Sequence, residues 1–154
     1  MSELRVPTVT LEVEIVCADG TWSVGRIFLP AASSHHPGPM LPDEWMNDAT
    51  PFFPFLPTNA SAPVILNKAE VVVLTVSSDD LPAADPLDSP VRNVQVECRE
   101  RTVAGSLVID MPEGHRRVLD YLNRPDAFLI VHDGDRHHLV RKARITRVLE
   151  PKGE

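Results

Sequence analysis

The sequence lacks the features that mark membrane, secreted and nucleic-acid-binding proteins. No apolar run approaches the roughly 18 residues of a membrane-spanning helix, and residues 1–7 carry no apolar signal-peptide core. The only two cysteines, Cys17 and Cys98, have no further Cys or His pair at zinc spacing beside them, so we expect reduced, buried thiols. The net charge of −7 leaves no excess of basic residues for phosphate backbones. With 43% hydrophobic residues, the chain is predicted to be a cytoplasmic protein with a packed core, without a membrane or nucleic-acid partner.

Proline, by contrast, is abundant: the chain has 15, and eight of them lie between Pro30 and Pro63. Because proline fixes φ and has no N–H donor, it is excluded from helix interiors and from central strands. This predicts a long extended loop over residues 30–51. A second stretch rich in proline and aspartate, residues 77–92, predicts a semi-extended linker without a core of its own.

Two segments of the chain carry similar short stretches in the same order, which predicts an internal duplication. The matched stretches are 11–17 with 94–98, 24–29 with 104–109, 43–47 with 119–123, 52–56 with 128–131, 64–71 with 138–145, and 71–76 with 145–149. Gly25 and Gly105 align, and a glycine inside a strand marks a bend or a close approach of two backbones. The 43–47 and 119–123 stretches predict single helical turns that end at an asparagine, a residue that tolerates the left-handed conformation.

The other matched stretches alternate apolar and polar residues, which predicts strands. The expected strands are 11–17, 23–29, 52–56, 64–68, 71–76, 94–99, 103–109, 127–132, 137–142 and 145–149. The expected core residues are Val13, Ile15, Cys17, Ile27, Val96, Cys98, Leu107 and Ile109. Five short strands and one helical turn per segment fit a small SH3-like or Sm-like barrel. We therefore predict an all-β protein with two tandem barrels, at residues 8–76 and 93–150, joined by the linker.

The second segment resembles the first Sm motif at Val94, Val96, Gly105, Leu107, Asp110 and Asn123. The whole arrangement resembles uncharacterised bacterial proteins with tandem Sm-like barrels. That resemblance implies a fold and no particular activity. Sm proteins bind RNA through an Arg-Gly pair in their second motif, whereas the equivalent residues here are Asn67-Lys68-Ala69 and Arg141-Lys142-Ala143. This departure argues against RNA as the ligand.

The densest polar stretch is residues 132–138, which contains three histidines and two aspartates. His132, Asp135 and His137 are the residue types that hold divalent metals. The Asp-Gly pair inside the same stretch also predicts a plain hairpin tip, for which polar side chains need no further explanation. We therefore predict no bound cofactor, and these three residues remain the candidates for a metal.

Two further sets of residues allow a chemical interpretation as well as a structural one. Lys68 and Lys142 occupy matched places and are expected to be exposed by strand parity, where they either bind an anion or keep a sheet edge from pairing. A Ser-His-Asp triad can be drawn from Ser34, His36 and Asp43. The loop around these three has neither a nucleophile elbow nor a glycine-rich oxyanion loop, so we expect no catalysis there.

The second predicted strand, residues 23–29, continues from Trp22 with apolar residues on both of its faces, and a small segment has a core on only one side of a strand. Trp22, Val24 and Phe28 alternate with the core residue Ile27, so they lie on the opposite side of the strand. Such a face needs a cover. The candidates are the loop at residues 30–42, the other segment, or another chain.

These observations favour a non-enzymatic interaction or assembly module of a bacterial cytoplasmic system, with a protein partner or a second copy of the chain. Two alternatives remain open at this point. One is a nucleic-acid-binding protein of Sm-like ancestry. The other is a small-ligand sensor or enzyme that uses the cleft between the two segments.

Overall fold

A computed structural model of the chain describes residues 8–77, 79 and 89–151. The elements are β1 (Thr8–Cys17), β2 (Trp22–Pro30), α1 (Pro42–Met46), β3 (Phe52–Pro57), β4 (Val64–Asn67), β5 (Val71–Ser77), β6 (Val91–Cys98), β7 (Thr102–Val108), α2 (Val118–Leu122), β8 (Phe128–Asp133), β9 (Arg136–Arg141) and β10 (Ile145–Leu149). Two 3-10 turns, Lys68–Glu70 and Lys142–Arg144, precede β5 and β10. Within these described residues, no helix is long and apolar enough to cross a membrane.

The strands form one open, ten-stranded antiparallel sheet in the order β10-β6-β7-β8-β9-β5-β1-β2-β3-β4. The all-β prediction is confirmed, and every expected strand is present with its ends within three residues of the predicted ones. The first five strands lie in the order β5-β1-β2-β3-β4, and the last five lie in the matching order β10-β6-β7-β8-β9. We call these sets the first half and the second half. They meet where β5 pairs with β9, which leaves β4 and β10 at the two edges of the sheet.

The predicted linker at residues 77–92 lies mostly outside the described residues. At its ends the chain is already strand, because β5 ends at Ser77 and β6 begins at Val91. The second half therefore begins two residues earlier than predicted.

The buried side chains form two apolar clusters. The first cluster joins residues of β1, β2, β3 and α1 to Phe128 and Leu139 of the second half. The second cluster joins residues of β6, β7 and α2 to Val16, Val72 and Val73 of the first half. Of the eight predicted core residues, seven are buried and Cys17 is half-buried. β5 contributes to both clusters, because successive side chains of a strand point to opposite faces.

Gly25 and Gly105 lie where two neighbouring strands approach closely. A Cβ atom at Gly25 would overlap the carbonyl oxygen of Leu56, and one at Gly105 would overlap the carbonyl oxygen of His132. Backbone atoms cannot move aside as a flexible side chain can. The predicted close backbone approach is confirmed at both matched positions, and it explains why each strand carries a glycine there.

The exposure predicted for the matched lysines is wrong for Lys68, which is only 4% exposed, while Lys142 is half-buried. The prediction assumed uninterrupted strand alternation. Instead β4 ends at Asn67, whose side-chain oxygen accepts a 2.9 Å hydrogen bond from the Ala69 N–H and so caps the 3-10 turn. The turn rotates Lys68 out of the alternation and toward the interior.

Candidate functional site

The outer face of β2 presents the apolar residues singled out by sequence parity. Trp22, Val24 and Phe28 lie on the face opposite the buried Ile27. Trp22 is 58% exposed, and Val24 and Phe28 are half-buried. At about 3.3 Å per residue, Phe28 lies roughly 20 Å along the strand from Trp22. The most exposed part of this face is therefore the end of the strand that carries Trp22, with Val24 beside it.

Carboxylates border this aromatic side chain. Glu14 pairs with Val24 across β1 and β2, and its Oε1 accepts a 3.3 Å hydrogen bond from the Trp22 indole N–H. The other oxygen of Glu14 forms an ion pair with Arg136, which belongs to the second half. Glu12, two residues earlier on the same face of β1, is exposed. The Trp22 face thus combines an aromatic ring with acidic groups.

Two open clefts flank Val24. One has a volume of about 270 Å³ and crosses the boundary between the halves. It is lined by Glu12, Val13, Glu14, Val24, Thr75, Val76, Ser77, Asp135 and Arg136. The other has a volume of about 430 Å³ and is lined by Trp22, Ser23, Val24, Pro57, Thr58 and Asn59. Both are open to solvent, unlike the concave pockets that bury most of a small ligand.

The proline-rich loop does not supply the cover that this face needs. Met40 and Leu41 pack against the first apolar cluster, on the side of β2 that carries Ile27. The end of the loop therefore contributes to the core of the first half, and Trp22 stays exposed.

Within the loop, the carboxylate of Glu44 organises a small polar network. It accepts hydrogen bonds from the Ser33 hydroxyl (2.6 Å), from His36 Nε2 (2.8 Å) and from the Leu41 N–H (3.0 Å). Burial opposes ionisation of Glu44, but these hydrogen bonds outweigh it and lower its pKa to about 2. His36 Nδ1 also donates to the Pro37 carbonyl (2.9 Å), so both ring nitrogens face acceptors. The hydrogen bonds to Pro37 and Glu44 raise the pKa of His36 and favour its imidazolium form.

The Ser34-His36-Asp43 arrangement drawn from the sequence is not what the hydrogen bonds show. His36 binds Glu44, and the serine in the network is Ser33, which donates directly to the carboxylate. No imidazole nitrogen is free to accept a proton from this hydroxyl, so the group does not activate a nucleophile. Sequence reasoning missed Glu44, although it stands at the third residue of α1, where a capping-box glutamate is expected.

The histidine-rich hairpin between β8 and β9 is held together by its own side chains. The rings of His132 and His137 meet edge to face, with centroids 4.5 Å apart. Burial lowers the pKa of both, and the charge of His138 lowers that of His137 further. Asp135 lines the boundary cleft. In the described part of the chain, no group of three or more His, Cys, Asp or Glu side chains is placed to hold a metal ion.

Lys68 and Lys142 each donate a hydrogen bond to a main-chain carbonyl of their own half. Lys68 Nζ donates to the carbonyl of Trp45 (2.6 Å) and to the carboxylate of Asp48 (2.8 Å). Lys142 Nζ donates to the carbonyl of Arg124 (2.8 Å). Each lysine therefore fastens a 3-10 turn to the backbone around the end of a short helix. Anion binding by this pair stays a prediction.

The joint between the halves is a continuous β ladder with polar contacts across it. Thr75 lies opposite His138, and its hydroxyl is 2.7 Å from His138 Nδ1. The other ring nitrogen of His138 lies 3.1 Å from Asp133. A further bond runs from the Phe128 N–H to the side-chain oxygen of Asn47 (2.8 Å), which links β8 to the end of α1.

Asn47 was expected to adopt the left-handed conformation that ends many helices. Its φ of −89° and ψ of −4° are right-handed instead. The structural role of Asn47 lies in its side chain, whose oxygen accepts the hydrogen bond from the Phe128 N–H across the joint.

In comparisons with known proteins, no family model, no curated protein and no solved structure matches it.

Proposed function

We propose that this protein is a non-enzymatic interaction module built from two tandem small barrels of the SH3-like or Sm-like type, which binds a protein partner through its Trp22 face. The observation that carries the proposal is the 58% exposure of Trp22, which lines one open cleft and lies beside Val24, a residue that lines both. Tryptophan is among the residues that most often anchor protein interfaces. Its large apolar surface is costly to leave in water, and its indole N–H suits a contact that is partly polar.

Four observations support the tandem-barrel part of the proposal. The strands of the two halves have the same order, and each of the two apolar clusters is formed mainly by one half. A glycine marks the close strand crossing in each half, and a lysine fastens the same turn in each.

The chemistry of the face points to the kind of partner. Glu14 lies next to Trp22, Glu12 lies opposite Arg26 further along the same face, and the chain as a whole carries a net charge of −7. A partner segment with a lysine or arginine beside apolar residues would place its cation near the indole ring and the carboxylates. Its apolar side chains would occupy the flanking clefts. Opposite charge would also speed the encounter, and the rate would fall as salt is added.

The test compares the wild-type chain with Trp22→Ser as baits, and uses Val91→Ser, another exposed apolar residue, as the matched control. Partners captured by wild type and by the control, but not by Trp22→Ser, would then be purified and their affinities measured by calorimetry. Loss of about 1.5–3 kcal/mol of apolar burial corresponds to a roughly 10- to 150-fold weaker Kd.

Thermal unfolding of the same variants separates an interface from internal packing. Because Trp22 is exposed, Trp22→Ser should unfold within a few degrees of wild type. Equal binding by wild type and Trp22→Ser would contradict the proposal, as would a large loss of stability in that variant.

A further inference from the structure

The joint between β5 and β9 shows how one half of the chain covers the other. Phe128 and Leu139 belong to the second half, yet they pack in the first apolar cluster and are 2% and 0% exposed. Ile130 packs partly against the same cluster. Leu139 lies directly opposite Leu74 of β5. The outer face of β8 and β9 is thus an apolar plug that the first half receives.

The first half carries an equivalent plug that nothing in the described structure covers. β3 and β4 pair in the same register as β8 and β9: Phe52↔Asn67, Phe53↔Leu66, Pro54↔Ile65 and Phe55↔Val64 match Phe128↔Arg141, Leu129↔Val140, Ile130↔Leu139 and Val131↔His138. Phe52 and Ile65 therefore stand where Phe128 and Leu139 stand, but they are 54% and 75% exposed. Among the described strands, β4 is also an edge strand, with none on its outer side.

The second half carries the equivalent receiving surface at the opposite edge of the sheet. In the joint, the plug is received by β5, by the contacts of α1 with β8, and by the side chain of Asn47. The corresponding elements of the second half are β10, α2 and Asn123. β10 is the other edge strand, and Leu119 and Leu149 are exposed on α2 and β10.

We propose that two copies of the chain associate head to tail, with β4 of one chain pairing antiparallel with β10 of the next. Transferring the joint's register places Leu66 opposite Arg147, Ile65 opposite Val148 and Val64 opposite Leu149. Exposed apolar edge strands are ready sites for such pairing. The occupant is a second copy because the molecule already contains this contact once, between its own halves.

The register also assigns a hydrogen bond between chains. The Phe52 N–H of one chain donates to the side-chain oxygen of Asn123 in the next, as the Phe128 N–H donates to Asn47 within the chain. Because the two joined surfaces differ, each added copy leaves one β4 and one β10 free, and the assembly grows until it closes on itself.

One difference makes the contact between chains weaker than the joint. Arg141 donates a 3.1 Å hydrogen bond to the Val71 carbonyl across the joint, and its guanidinium stacks on the Phe128 ring. Its counterpart in the first half is Asn67, whose side chain is used to cap the 3-10 turn. Association between chains is therefore concentration-dependent and reversible, whereas the joint is permanent.

The experiment measures native mass against protein concentration by sedimentation. Wild type is expected to rise from the 17.0 kDa of one chain toward multiples of it. Ile65→Lys, which disables the plug, should stay at the mass of one chain, and so should the double variant Leu119→Lys/Leu149→Lys, which disables the receiving surface. Val9→Lys changes an exposed apolar residue on a strand in the middle of the sheet and should assemble like wild type.

Mixing the two disabled variants decides the geometry. Each retains one intact surface, so an equimolar mixture should give a dimer of one chain of each and nothing larger. A wild type that stays at 17.0 kDa at every concentration would overturn the proposal, as would assembly of either disabled variant by itself.

As a check independent of those substitutions, Val64→Cys and Leu149→Cys chains mixed under oxidation should cross-link to each other. Disulfides only between identical chains would refute the register. None of these outcomes depends on the Trp22 face, which lies on β2.

Discussion

Replacing Lys68 by methionine is expected to lower the free energy of unfolding by about 2–4 kcal/mol. The ammonium is buried and donates to the Trp45 carbonyl at 2.6 Å and to Asp48 at 2.8 Å. A hydrogen bond from a charged donor contributes about 1.5–3 kcal/mol. The ion pair with Asp48 adds at most about 1 kcal/mol, because that carboxylate is 35% exposed and water screens it. Methionine has a side chain of similar length and removes the charge, its hydrogen bonds and the contact of Nζ with the Trp45 ring, whose centroid is 5.1 Å away.

Urea unfolding of four variants measures these contributions separately. Asp48→Asn alone should cost less than 1 kcal/mol, and the Lys68→Met/Asp48→Asn double variant should cost little more than Lys68→Met. Lys142→Met is the matched control in the second half; it loses one bond to Arg124 from a half-buried position and should cost about 1 kcal/mol. Equal losses for Lys68→Met and Lys142→Met, or a loss below 0.5 kcal/mol for Lys68→Met, would refute the assignment of Lys68 as a buried fastening.

Four other outcomes are expected. Leu107→Ala should cost about 2–5 kcal/mol in urea unfolding because the side chain is fully buried; a loss below 0.5 kcal/mol would mean that the strand face is misassigned. Gly105→Ala should cost about 3 kcal/mol or prevent folding, because the new Cβ meets backbone; a normal melting temperature would contradict the close crossing. His132 and His137 have pKa values lowered by burial, so the unfolded state binds more protons and stability should fall as pH drops below about 6.5; in a His36→Gln background, which removes the opposing contribution of that residue, urea midpoints that do not change between pH 7 and 5 would disprove this. The raised pKa of His36 has the opposite sign: its contribution is present at low pH and lost as pH rises through that pKa, which an NMR titration of the ring would show.

The strands and the exposed face could be predicted because both follow from local alternation. A residue such as Ile27 faces the core, and its neighbours on the strand must face the other way, which correctly put Trp22 outside. This reasoning works only as long as the alternation is uninterrupted. At Lys68 the 3-10 turn interrupts it, and the predicted exposure of the lysine failed for that reason.

The joint could not be predicted in the same way, because the residues that form it are far apart in sequence. Thr75 and His138 are separated by 63 positions, and nothing in either local pattern specifies the other. Asn47 shows the same limit. The sequence correctly predicted that Asn47 ends a helical turn. It could not predict that the side chain of Asn47 accepts a hydrogen bond from the N–H of Phe128, 81 positions later. The polar network of the loop was missed because the sequence does not show that the side chain of Glu44, rather than that of its neighbour Asp43, faces His36.

The plug formed by β8 and β9 has a consequence for how the chain folds. The first apolar cluster is incomplete until Phe128 and Leu139 arrive from the second half, and β5 is paired on both of its sides only after β9 has formed. Such distant pairings slow folding, because a long loop must close before any contact compensates for its entropy. A chain emerging from the ribosome therefore holds its first half with an open core until Phe128 and Leu139 have been made. The two halves share a strand order, but they depend on each other, and we expect one cooperative unfolding transition rather than two.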